Sequence, residues 1–102
     1  MKILGVIPAR YASTRFNGKP LELICGKPMI EWVYKRSVKS KLDNVVVATD
    51  DKRIYDTVLS FGGKAVMTRS DHSNGTDRII EVIKLEEYKD YEFVINIQGD
   101  EP

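Results

Sequence analysis

A chain of 102 residues, 42% hydrophobic and 30% charged, has the make-up of a small globular domain or of part of a larger one, and excludes a disordered class. Sixteen Lys and Arg against 15 Asp and Glu leave a net charge of +1. No global basic field therefore points to nucleic acid, and any anion-binding role must be local.

The first apolar run, "ILGVI" (3–7), predicts a short buried strand. Pro8 interrupts it before a signal-peptide core could form, and no stretch reaches membrane-spanning length. Cys25 is the single cysteine, which excludes an internal disulfide and suits a reducing compartment. The expected setting is the cytoplasm, with neither membrane nor nucleic acid as partner. Cys25 itself is expected to be a small buried or half-buried hydrophobe.

Residues 28–41, "PMIEWVYKRSVKSK", predict a helix with Pro28 in its first turn and Met29, Trp32, Val33 and Arg36 on one face. "NVVVATD" (44–50) predicts a second strand, its three valines favouring burial on both faces. Residues 51–63 predict a second helix, with Thr49 or Asp50 as cap, Ile54, Val58 and Phe61 inward, and Gly62-Gly63 as its stop. "KAVM" (64–67) is a third strand. Within 73–88 a loop leads into a third helix, capped by Thr76 or Asp77 and striped by Ile79, Ile80 and Ile83. Residues 91–97 form a fourth strand.

Strand and helix alternate four times, the pattern of a parallel sheet with helices on both faces. The expected strand order is 3-2-1-4, reversing between the first strand and the fourth. Ligands in such sheets bind outside the carboxyl ends of the strands at that reversal. Residues 8–21 and 98–102 leave those ends. A sheet stopping here would keep exposed edges, so the chain is expected to be the N-terminal part, residues 1–102, of a longer domain.

The first of these segments, "IPARYASTRFNGKPL" (7–21), carries three cations and little side-chain bulk. Ala9, Ala12, Ser13 and Gly18 let backbone N–H groups approach phosphate oxygens. Arg10 and Arg15 can make bidentate phosphate contacts, and Lys19 can act as a point charge. The spacing is neither GxGxxG nor a Walker loop. A solvated basic loop is the competing reading. In the second segment, "NIQGDEP", Asp100 follows an apolar strand and faces the cationic loop across the reversal. Magnesium takes one or two carboxylates plus phosphate oxygens, so Asp100 is its candidate ligand; a simple turn is the alternative.

A third polar segment, "TRSDHSNGTDR" (68–78), leaves the third strand and could read the hydrogen-bonding edge of a nucleobase, or serve only as a helix cap. His72 has no His or Cys at ligand spacing. The acidic "TDD" (49–51) resembles a ribose contact in form but lies too late after the loop, so a helix cap is favoured.

Together these three segments resemble the cytidylyltransferases that activate 3-deoxy-manno-octulosonate (Kdo), in the right order and over nearly the whole chain. The resemblance implies a Rossmann-like nucleotidyltransferase sheet and transfer of CMP from CTP to the sugar acid, with magnesium as cofactor. It implies that Arg10, Ser13, Arg15 and Lys19, with the backbone at Ala9, hold the triphosphate. Arg69, Ser73 and Gly75 would contact cytosine, and Gln98 would lie near the ribose or the sugar. Asp100 would bind magnesium, with Arg15 and Lys19 easing departure of pyrophosphate. Asn17 stands where the family commonly has proline, which predicts a looser loop. Family members are more than twice as long, and the remainder carries a second metal-binding Asp, the Kdo pocket and homodimer contacts. These 102 residues are thus expected to be the nucleotide-binding half, weakly binding and nearly inactive alone. A non-catalytic nucleotide module and a self-assembling fragment are the alternatives.

Overall fold

The computed structural model describes residues 2–11, 18–69 and 75–98. Its four-stranded sheet is parallel throughout and is built from β1 (Ile3–Ala9), β4 (Asn44–Thr49), β5 (Ala65–Met67) and β6 (Phe93–Asn96). Strand order is β5-β4-β1-β6. That is the anticipated arrangement of these four segments, with one difference in numbering. A small antiparallel ribbon, β2 (Leu23–Ile24) with β3 (Lys27–Pro28), intervenes in the chain and was not anticipated.

Alternation along the strands explains why both faces are covered. Ile7, Ala9, Val45 and Val47 point to one side and meet Met29, Ile30 and Val33 of α1 (Met29–Val38) and Ile54 and Val58 of α2 (Lys52–Ser60). Leu4, Val6, Val46 and Ala48 point to the other and meet Ile79 and Val82 of α3 (Gly75–Ile83), with Tyr88 beside them. The run Val45-Val46-Val47 thus serves both cores, as a strand buried on both faces requires. Each such side chain contributes about 1.5–3 kcal/mol by leaving water.

Several local expectations are corrected. α2 is capped neither by Thr49 nor by Asp50 but by Asp51, whose carboxylate accepts the Arg53 N–H at 2.8 Å. The reason is that β4 runs through Thr49, leaving the extended conformation of a cap to Asp51. Thr76 and Asp77 lie inside α3, which begins at Gly75, and cannot be its cap. Ile80 is exposed whereas Ile79 and Val82 are buried. On α1, Trp32 and Arg36 are exposed; the core takes Met29, Ile30 and Val33. Trp32 instead ties the ribbon to the helix, its indole N–H donating to the Ile24 carbonyl at 2.7 Å while Lys27 sits over its ring.

Cys25 is exposed, not half-buried, because it occupies the ribbon's turn. Cys25 and Gly26 have φ of 51° and 83°, the two positive values that a type I′ hairpin turn needs.

β6 pairs with β1 and with no other strand among the described residues. Phe93 and Ile95, on the α1 side of the sheet, are 53% and 45% exposed. This agrees with the expected uncovered sheet edge.

Candidate functional site

Parallel pairing in register brings the four strand ends to one edge. Ala9 lies opposite Thr49, and Thr49 opposite Met67. The Thr68 N–H continues that ladder onto the Thr49 carbonyl at 2.8 Å, and the Ile97 N–H onto the Val6 carbonyl at 2.9 Å. The residues that follow, Arg10, Asp50, Arg69 and Gln98, therefore share this edge. β1 reaches β4 through α1 on one face, whereas the connection into β6 runs through α3 on the other. The reversal lies between β1 and β6, where an open α/β sheet offers a crevice for a ligand.

Of the residues singled out in the sequence, Ala9, Arg10, Lys19, Arg69, Gly75 and Gln98 are described; Ser13, Arg15, Ser73 and Asp100 lie outside the described residues. Ala9 is buried in the core, so only its backbone remains for a ligand. Arg10, Arg69 and Gln98 are exposed at the edge. Lys19 opens a single 3-10 turn, Lys19–Leu21, whose Pro20 is buried and whose Leu21 packs on the α1/α2 core. The lysine is thereby carried on a segment fixed to the body of the domain.

What holds the two flanks of residues 12–17 together was not visible in the sequence. The Gly18 N–H donates to the Tyr11 carbonyl at 2.6 Å. Gly18 adopts φ 75°, and a Cβ there would lie 2.8 Å from Cε2 of Tyr11, so the ring rests directly on the glycine. The Arg53 guanidinium lies over the same ring, 3.3 Å from its centroid. Arg53 is held in turn by two bonds to Asp51, Nε to Oδ1 at 3.1 Å and Nη2 to Oδ2 at 2.7 Å. That pairing holds the Asp51 carboxyl below its ordinary range and raises Arg53. Tyr11 stands within the quoted motif as one of its two aromatics, with Phe16; Arg53 carried no such signal.

On the α3 side, Arg78 is a buried arginine, 1% exposed. Its Nη1 donates to the Thr68 hydroxyl and, at 3.2 Å, to the Arg69 carbonyl. Its Nη2 lies 3.7 Å from Oδ2 of Asp50. The first turn of α3, and Gly75 with it, is thus drawn to the same edge. No group of three or more His, Cys, Asp or Glu able to hold a metal occurs among the described residues.

Strand order and reversal point define an α/β domain of the doubly wound class. More particularly, the chain belongs to the cytidylyltransferase family, whose family model matches residues 4–102. It is similar to the 3-deoxy-manno-octulosonate cytidylyltransferase of Fusobacterium nucleatum subsp. nucleatum, 62% identical over 102 residues that make up 100% of this chain and 41% of that protein. The enzyme of the same name from Leptospira biflexa serovar Patoc is 63% identical, over 99% of this chain and 41% of the relative. A solved CMP:2-keto-3-deoxy-manno-octonic acid synthetase complexed with CTP superposes with a TM-score of 0.92 at 53% identity, covering 100% of this chain and 42% of that one. The chain spans about two fifths of the length of the curated relatives it matches.

Proposed function

We propose that the whole protein transfers CMP from CTP to Kdo, releasing pyrophosphate, and that residues 1–102 form its nucleotide-binding half. The observation that carries this reading is the 0.92 TM-score over the entire chain to a synthetase complexed with CTP. The gathering of Arg10, Arg69 and Gln98 at the edge where such a ligand would bind supports it.

In this reading the triphosphate lies against Arg10, Ser13, Arg15 and Lys19, and its inner phosphates approach the backbone after Ala9. Cytosine meets Arg69, Ser73 and Gly75, and Gln98 faces the ribose or the sugar. The anomeric hydroxyl oxygen of Kdo forms a bond to the α-phosphorus as the bond to the bridging oxygen breaks. That bond's electron pair leaves with pyrophosphate, and the hydroxyl proton passes to solvent. Arg15 and Lys19 stabilise the charge gathering on the leaving group, an electrostatic contribution of about 3 kcal/mol for a well-placed donor. Positioning and charge neutralisation suffice for such a transfer.

Magnesium is the cofactor of this reading, with Asp100 as the residue of this chain that holds it. One carboxylate together with phosphate oxygens is a sufficient donor set for that ion, so a preformed cluster is not required. When bound it neutralises phosphate charge. The reading extends to a cytoplasmic homodimer acting on small molecules, without nucleic acid or membrane.

The test is made on a chain extended past Pro102 to the length of the relatives. Kdo-dependent pyrophosphate release from CTP, absent with ATP and abolished by Asp100→Ala, is the expected result. An Asp100→Ala enzyme of undiminished activity removes the metal role, and no release by a folded wild type removes the reaction.

A further inference from the structure

Both backbone polar groups of Arg69 are held by side chains of one helix face. The Arg69 N–H donates to Oε1 of Glu81 at 3.1 Å, and the Arg69 carbonyl accepts from Nη1 of Arg78 at 3.2 Å. Arg78 and Glu81 are three residues apart on α3, the spacing that puts two side chains on the same face. Arg69 is the residue at which the chain leaves the sheet beyond β5.

Arg78 does more than occupy space. A guanidinium that is 1% exposed must be taken out of water, which is expensive unless its donors are used. Nη1 is used on Thr68 and Arg69, while Nη2 is buried without a hydrogen-bond partner among the described residues, Asp50 Oδ2 standing 3.7 Å away. An apolar side chain would fill the same volume at lower cost. What it would not do is grip the ends of β4 and β5 at once.

We propose that Arg78 and Glu81 are positioning residues for base recognition. Together they set the direction in which the backbone leaves β5, and so where Arg69 meets the nucleobase of a cytidine nucleotide. This rests on the CTP reading given above. Neither side chain needs to touch the ligand; each acts through the peptide groups of Arg69.

The experiment uses the chain extended to the relatives' length, assayed for pyrophosphate release with CTP and with UTP, alongside thermal unfolding. Losing one backbone hydrogen bond lets the exit of β5 drift, so Glu81→Ala raises the KM for CTP by about tenfold and lowers the CTP-to-UTP preference by a similar factor. The KM for the sugar acid stays at the wild-type value. Glu81→Gln keeps a carboxamide oxygen for the Arg69 N–H and behaves as wild type. Arg78→Lys loses the forked grip and follows Glu81→Ala; where it unfolds the protein, Glu81→Ala decides alone. A Glu81→Ala enzyme with lowered melting temperature but unchanged KM and preference overturns the positioning role. A folded wild type that does not prefer CTP overturns the nucleotide reading itself, and this inference with it.

Discussion

The Arg53 guanidinium lies 3.3 Å from the centroid of the Tyr11 ring, and Tyr11 in turn accepts the Gly18 N–H at 2.6 Å. A residue at the start of α2 thereby braces the base of the cationic segment that leaves β1. The brace is electrostatic, a cation over a π face, and Asp51 orients the cation. In a chain extended to the relatives' length, Arg53→Ala should weaken CTP binding about threefold, on the scale of an exposed cation–π contact. Tyr11→Ala, which also removes the packing on Gly18, should weaken it further. Calorimetric titration of CTP checks both, and equal affinities for all three proteins would sink the idea.

Gly18 is the second half of this brace. It sits at φ 75° with no room for a Cβ, whereas Gly26, at φ 83°, has nothing within 4 Å of one among the described residues. Both substitutions by alanine incur the left-handed backbone penalty of about 1–2 kcal/mol, but only Gly18→Ala adds a collision with the Tyr11 ring. Denaturant unfolding should therefore rank Gly18→Ala as the more damaging change. Its effect on CTP affinity should exceed that of Gly26→Ala, which lies in the ribbon's turn.

Asp51 both caps α2 and pairs with Arg53, so its substitution to alanine should cost about 1 kcal/mol of stability. Its carboxyl is held below the ordinary value, chiefly by the Arg53 hydrogen bond, against a smaller opposing effect of burial. The ionised form therefore stabilises the fold at every pH above the unfolded value near 3.8, and that contribution is lost as pH falls through the lower folded value. Asp51→Asn keeps the cap acceptor and lacks this titration. Unfolding of the two proteins followed from pH 6 to about pH 2 should show wild type losing its advantage over Asp51→Asn.

At the alkaline end the responsible group is Tyr88, packed on the α3 side of the sheet. Burial, with help from the charges of Glu87, Tyr91 and Tyr34, pushes its phenol up to about 12 from the ordinary 10.0. The folded state thus keeps a proton that the unfolded state has released. Stability is intact below pH 10.0 and declines as pH rises towards about 12. Tyr88→Phe removes this titration, so its alkaline unfolding curve should be flatter than that of wild type over that window.

The edge at β6 makes the 102 residues alone prone to self-association, since Phe93 and Ile95 stand exposed beside an outer strand. Sedimentation of that chain should show concentration-dependent oligomers, and Phe93→Lys with Ile95→Lys should return it to monomer. A wild-type chain monomeric at high concentration would refute this.

The local pattern of the sequence was enough to determine the architecture. Apolar runs of strand length alternate with stretches of helical period, and three consecutive valines identify a strand buried on both faces. The alternation, read as a doubly wound sheet, led to the strand order and the reversal between β1 and β6 that the structure has. The Cys25-Gly26 turn was missed because its flanking strands are two residues each and Cys-Gly lacks the usual turn signature. The cap of α2 was misplaced by one or two residues because the end of β4 depends on pairing with β1, not on propensity. Only the tertiary structure decided that Arg53 braces Tyr11, and that Arg78 spans Asp50, Thr68 and Arg69. Those relationships join residues far apart in the chain, and periodicity carries no record of them; they exist because parallel pairing delivers four strand ends to one edge.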